Sequence, residues 1–226
     1  VFDESHNYFS DESNEEILRK VATKCYLPTN QMMLDCIREH EGRFRISYAI
    51  TGTLLEQCAQ WMPEVLDSFK RLVDTGCVEI IGETYFHSLS FLYDRGEFRH
   101  QIKTHSDLME HHFGVRPKAF RNTELTYNNE VAQEIEGLGF ETILTEGADH
   151  ILGYRSPNFV YNPPGCNIKL MLKNYRLSDD IAFRFGNKGW PEWPLTTEKF
   201  AKWVDRINGN GYTCNLFMDY ETFGEH

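Results

Sequence analysis

The sequence predicts an α/β fold of parallel βα units, closed or nearly closed into a barrel. Three observations carry that prediction. Runs rich in β-branched and aromatic residues alternate with helical periodicity along most of the chain. Acidic residues fall repeatedly at the ends of the apolar runs, where a parallel barrel keeps its working groups. The chain of 226 residues, 41% hydrophobic and 25% charged, is also large enough to bury a core without disulfide staples.

The elements follow in order. Residues 14–39 have helical periodicity, with Ile17, Val21, Leu34 and Ile37 on apolar faces; Pro28 divides them into two short helices and Gly42 closes the second. RISYAIT (45–51) reads as a strand, followed by one helix over 53–74 that ends at Gly76. VEIIGE (78–83) is the next strand. After a loop at 88–93 a polar, solvated helix covers 97–112, and Gly114 with Pro117 punctuates the chain. Residues 119–124 read as extended, 129–138 as a helix and ETILTE (141–146) as a further strand. A stretch rich in Pro, Gly and Asn then runs from Gly153 to Asn167. Beyond it 168–173 and 181–185 read as strands, 197–207 as a helix and TCNLFMD (213–219) as a last buried strand.

Composition excludes several function classes. Net charge is −11, from 34 acidic against 23 basic residues, and no basic run interrupts it, so a nucleic-acid partner is not expected. No apolar stretch approaches the roughly 18 to 20 residues of a bilayer span and no signal peptide is visible, so a soluble protein with no membrane partner is expected. The six cysteines (Cys25, Cys36, Cys58, Cys77, Cys166 and Cys214) contain no CxxC pair. They read as reduced core thiols of a cytoplasmic protein. Val1 in place of a starting Met, and a polar turn-like run up to His226, read as a piece of something longer.

Carboxylates mark the candidate site. Glu83 ends VEIIGE, Glu124 ends AFRNTE, Glu146 ends ETILTE, and Asp219 with Glu221 ends TCNLFMDYE. The two-residue period of a strand places Glu79 and Glu83 on one face, with His87 four residues on and in reach of a polar substrate. Asp219 and Glu221 share a face in the same way. A carboxylate at the end of an apolar strand is costly unless it is paired or used, so these placements predict one rim of working acids.

Such a rim suits glycoside cleavage by a carboxylate pair or hydrolysis assisted by a divalent metal. His111 and His112 are adjacent and His100 and His105 lie five apart, so no pair has the i, i+4 spacing of a helical zinc site. A GxSxG elbow, a Gly-rich phosphate loop and a plausible nucleophilic cysteine are also missing from the sequence. Trp190 and Trp193 in WPEWP, with Tyr154, Tyr161 and Tyr175, offer rings on which sugars stack, or rings that pack the irregular region.

Three ordered runs, GCVEIIGETYFHSL (76–89), FRNTEL (120–125) and MDYETFGEH (218–226), resemble regions of glycoside hydrolase family 57, most closely its α-amylase-like members. The resemblance covers nearly the whole chain. It implies an incomplete (β/α)7 barrel, with residues 1–226 as a single, partial catalytic domain carrying an irregular insertion around 150–195. It implies a retaining mechanism on α-1,4-linked glucans or maltooligosaccharides, with no metal and no organic cofactor in the chemistry. Glu124 matches the nucleophile and Asp219 the general acid/base; Glu79 and Glu221 match positions lining the sugar site, to which the strand argument adds Glu83 and His87. Arg121 stands where many relatives carry a tryptophan, a departure at the subsite nearest the nucleophile. The family's first motif, on the first barrel strand, and its last, after the barrel, fall outside this sequence.

On this reading the acid of the pair must hold a proton, and burial beside Glu124 and Glu221 is expected to keep it on Asp219. A 4-α-glucanotransferase needs the same carboxylates and differs in what intercepts the intermediate. A non-catalytic glucan-binding barrel and a metal-dependent polysaccharide deacetylase on a related barrel are the readings from other classes.

Overall fold

Ser10 opens the first helix of the computed structural model, which describes residues 9–225. Its hydroxyl accepts the Ser13 amide proton, and α1 runs over Asp11–Val21. The break predicted at Pro28 takes the form of a π-helical stretch, Ala22–Tyr26, before α2 (Leu27–Glu39) starts with the proline in its first turn. Proline lacks an amide proton and its ring crowds the carbonyl four residues back; the wider turn absorbs both without ending the helix. The two predicted short helices are therefore one helical run with a local widening.

β1 (Ile46–Ala49) and β2 (Val78–Ile81) pair in parallel, with Ile46 opposite Val78. The single helix predicted between them is two, α3 (Gly52–Trp61), capped by Thr51, and α4 (Pro63–Val73). Pro63 is the cause: the residue before a proline is pushed out of the helical region, and Met62 sits at φ −142°, ψ 60°. α5 (Arg95–Phe113) starts on an Asp94 cap and stops at Gly114, whose φ of 67° ends the helix in a left-handed turn. It is not solvated all round, because Phe98, Ile102, His105, Met109 and Phe113 form a buried stripe at helical spacing. One apolar core takes in Leu34, Tyr48, Leu55, Phe69, Leu72 and Ile80. Residues 220–225 return to it: the Tyr220 ring lies 6.2 Å from that of Tyr26, and its hydroxyl donates to Asn30 Oδ1 at 2.8 Å. The described residues through Pro117, together with this returning segment, form one compact unit, and Lys118–Asp219 forms a second.

The second unit is built on β3 (Ala119–Arg121), β4 (Thr142–Glu146), β5 (Val160–Tyr161) and β6 (Lys169–Lys173), in the order β3-β4-β6-β5. β3, β4 and β6 run parallel and β5 antiparallel. Helix α6 (Asn129–Gly137), capped by Asn128, connects β3 to β4 and buries Val131, Ala132 and Ile135. After β4 come the single-turn α7 (Asp149–Leu152), then β5 and β6.

Two predicted strands are corrected here. Residues 181–182 end a helix, α8 (Tyr175–Ala182), because Asn174 directly after β6 accepts the Leu177 amide and starts a helical turn. Residues 213–219 make one parallel bridge, Asn215 to Lys173, in place of a strand. Their other backbone bonds go elsewhere, Thr213 to the Asn158 carbonyl and Phe217 to the Ser178 hydroxyl, and none of these residues is buried. Helix α9 (Thr197–Asp205) follows α8 in the chain and ends two residues before the predicted limit. All six cysteines are free thiols, and no helix among the described residues is long and apolar enough to cross a membrane.

Candidate active site

The extended run predicted to reach Glu124 stops short of it. Asn122 is still extended, and the chain then folds into two overlapping tight turns, closed by Leu125 N–H to the Asn122 carbonyl at 2.9 Å and Thr126 N–H to the Thr123 carbonyl at 3.1 Å. Glu124 (φ 54°, ψ 26°) and Leu125 (φ 55°) are both left-handed. They occupy the central positions of a mirror-image turn of type I′, places that Gly, Asn and Asp normally take. Glu124 is exposed while Leu125 is buried, so the turn anchors one side chain in the core and presents the other outward.

Parallel pairing fixes which edge this is. Glu124 lies just past the C-terminal end of β3, Glu146 ends β4, and Asn215, four residues before Asp219, bridges the last residue of β6. Glu124, Glu146 and Asp219 therefore all follow the same, C-terminal edge of one sheet, where parallel α/β folds place their ligands. The Arg121 guanidinium sits 5.2 Å from the centre of the Phe217 ring, tying the strand that leads to Glu124 to the segment that leads to Asp219. Strands lie about 4.8 Å apart, so this contact reaches across the ends of β4 and β6 and requires both side chains on one face. Gly147 allows the close packing behind it: a Cβ there would stand 2.5 Å from the Lys173 carbonyl oxygen. The Glu146 carboxylate folds back to accept its neighbour Gly147 N–H at 3.0 Å. Asp219 is exposed, not buried as expected.

The remaining predicted residues belong to the first unit. Glu83, two residues past β2, is 1% exposed, and its Oε2 lies 3.2 Å from His87 Nδ1. His87, half-buried, is another left-handed residue (φ 52°) in a tight turn, closed by its N–H to the Thr84 carbonyl. Ser88 pins that turn to α5, bonding the Thr84 hydroxyl through its backbone and Gln101 Oε1 through its side chain. Glu79 is exposed, four residues earlier in the strand direction, and accepts from the Ser47 hydroxyl at 3.4 Å. Glu221 accepts from the Tyr26 hydroxyl, whose proton is held firmly because burial and the facing carboxylate both push the phenol up.

Other expectations divide. His105 is fully buried; its Nε2 lies 2.8 Å from the Ile50 carbonyl and burial pushes its imidazole down, so it is a neutral core group. Among the described residues no three His, Cys, Asp or Glu side chains come together as a metal-binding group. Of the aromatic set, Tyr154 is fully exposed, whereas Trp190 packs on Trp203 and under Arg184, and Tyr175 bonds Asp149. A cavity of about 430 Å³ lined by Asp149, Arg155, Asn158, Asn174 and Arg176 contains none of the predicted catalytic residues. The sequence reading passed over Asn122 and Thr145, both buried and both bonded to the Glu124 turn. The turn-forming character of Asn122 was the only available signal.

The comparisons with known proteins agree with this architecture. All of residues 1–226 match the family model described as Glycosyl hydrolase family 57. A Methanocaldococcus jannaschii protein named "Putative alpha-amylase" is 48% identical over 220 residues, which are 97% of this chain and 46% of that protein. The chain thus spans about half the length of that relative. The fold is similar to that of 4-alpha-glucanotransferase from Thermococcus litoralis, with a TM-score of 0.74 at 17% identity over 92% of this chain and 31% of that one. It is also similar to a GH57-type branching enzyme from Pyrococcus horikoshii, with a TM-score of 0.70 at 18% identity over 93% and 60%. At such identities the likeness is one of fold. With every residue inside the family match, the chain belongs to glycosyl hydrolase family 57.

Proposed function

We propose that the chain carries the catalytic part of a retaining glycoside hydrolase acting on α-1,4-linked glucans, with Glu124 as nucleophile and Asp219 as general acid/base. The observation that supports this best is Glu124 itself: an exposed carboxylate on a left-handed turn at the C-terminal end of a parallel strand. Non-glycine residues held in that region cost of order 1–3 kcal/mol each, and such strain collects at working sites. In the first step the ionised Glu124 attacks the anomeric carbon. The bond from that carbon to the glycosidic oxygen breaks, and Asp219 gives the departing oxygen its proton. The sugar is left as an ester on Glu124. Asp219, now a carboxylate, takes a proton from water, whose oxygen displaces Glu124.

Arg121 supplies a fixed positive charge on the strand that leads to the nucleophile. Glu79, Glu83, His87 and Glu221 are assigned to sugar hydroxyls; Glu79 and Glu221 each spend one acceptor site on Ser47 or Tyr26 and keep others for substrate. The domain is proposed as one incomplete (β/α)7 barrel over residues 1–226, with the insertion around 150–195. The six free thiols fit a cytoplasmic setting.

In the full-length protein, Glu124→Gln is expected to lower turnover of maltoheptaose roughly a thousandfold or more. Undiminished turnover overturns the assignment. The products of the unsubstituted enzyme separate hydrolysis from 4-α-glucanotransfer, the second reading, which needs the same two carboxylates and differs in what intercepts the intermediate. A hydrolase makes only shorter chains from maltoheptaose, and a transferase also makes longer ones.

A further inference from the structure

We infer that Asn122 and Thr145 are positioning residues, which hold the Glu124 carboxylate in place by clamping the left-handed turn that carries it. The kinetic half of this inference rests on Glu124 being the nucleophile; the clamp itself rests on geometry alone. Neither glutamate nor leucine stays left-handed by its own preference, so the conformation of Glu124 and Leu125 must be imposed from outside the two residues.

Asn122 grips the turn at two points. Its carbonyl accepts Leu125 N–H at 2.9 Å and its side-chain Nδ2 donates to the Thr126 carbonyl at 3.0 Å. Thr145, on the neighbouring strand β4, donates its hydroxyl to the Leu125 carbonyl at 3.0 Å. The N–H and carbonyl of Leu125 and the carbonyl of Thr126 are thus all tied to buried groups outside the mirror-image turn, and the buried Leu125 side chain is a further anchor. Those bonds oppose a return of the backbone to negative φ.

Asn122 holds this position at a cost. Its Oδ1 is buried with no hydrogen-bond partner among the described residues, and an unsatisfied buried acceptor is unfavourable. The amide is oriented for its donor, and the donor serves the Glu124 turn. Displacement of a reacting group by about 1 Å is enough to cost on the order of a hundredfold in rate. Loosening the clamp should therefore act on kcat.

The test uses the full-length protein with an aryl α-maltoside, whose good leaving group makes attack by Glu124 visible without help from the acid. Asn122→Ala and Thr145→Val should each lower kcat about ten- to a hundredfold with KM within about threefold. Thr145→Ser, which keeps the hydroxyl, should recover most of the loss. Hydrogen exchange read on the same variants should show the Leu125 and Thr126 amides exchanging at least about tenfold faster, with the core amides unchanged. Wild-type kcat together with wild-type exchange in Asn122→Ala and Thr145→Val overturns the inference. So does a loss of activity that only follows the loss of folded protein, since a merely structural role predicts that. If Asn122→Ala does not fold, the comparison of Thr145→Val with Thr145→Ser decides by itself. If the unsubstituted protein fails to turn over the maltoside while the variants still loosen the turn, the clamp stands and the assigned reaction falls.

Discussion

Glutamate at φ 54° is in a conformation that its Cβ disfavours, and this chain places it next to a leucine at φ 55°. His87, the other predicted site residue in a tight turn, is left-handed as well. A left-handed residue thus carries a polar side chain after β2 and after β3, singly at His87 and paired with Leu125 at Glu124. If the strain at Glu124 serves the site and not the fold, relieving it should stabilise the protein and remove its activity. Glu124→Gly is expected to raise stability by about 1 kcal/mol, after the larger unfolded-state entropy of glycine is subtracted. A thermal melt checks this, and a lowered Tm would contradict it. At this scale the sequence was only partly legible. AFRNTE showed a carboxylate just past an apolar run, which is where Glu124 lies, but nothing in the letters Glu-Leu signals a mirror-image turn, because its usual marks are Gly, Asn and Asp. Burial was misread for similar reasons: Asp219 was expected inside and is exposed, and His105 was read on a solvated helix and is fully buried.

Among the elements, some helix limits carry a plain chemical mark and others do not. Thr51, Asp94 and Asn128 announce their helices by accepting amide protons from the first turn, and Gly114 ends one by its left-handed φ. The break at Pro63 and helix α8 were missed, the first because a strong apolar period ran through the proline. The second was missed because IAFRF resembles a strand until the Asn174 cap is seen to begin a helix six residues earlier. The returning segment, residues 220–225, carries a pH prediction. Glu225 pairs with Lys20 at 2.6 Å and Lys24 at 2.9 Å, and those ammonium groups hold its carboxyl down at about 2 against a usual 4.5. The folded chain therefore keeps Glu225 ionised where the unfolded chain takes up a proton. The contribution is fully present above about pH 4.5 and is lost as pH falls toward 2. A Lys20→Ala/Lys24→Ala variant should lose less Tm than the wild type across that window. Parallel Tm curves for the two proteins would contradict the assignment.

For the molecule as a whole, the alternation of strands and helices was enough to read a parallel α/β fold, since parallel strands require crossovers and the chain supplies a helix for nearly each one. What the alternation left open was how the last third behaves. Residues 213–219 look like a buried strand, yet their backbone bonds go to Asn158, Ser178 and a single bridge with Lys173, because the neighbouring edge of β6 is partly taken by β5. The reaction assigned to the chain depends on one covalent event, formation of a sugar ester on Glu124. A fluorinated maltosyl fluoride, whose second step is slow, should trap that ester in the full-length protein, and peptide mass spectrometry would locate it. One maltosyl label on Glu124, absent from Glu124→Gln, is expected; a label on another carboxylate, or turnover with no label in the trapped enzyme, would contradict the assignment.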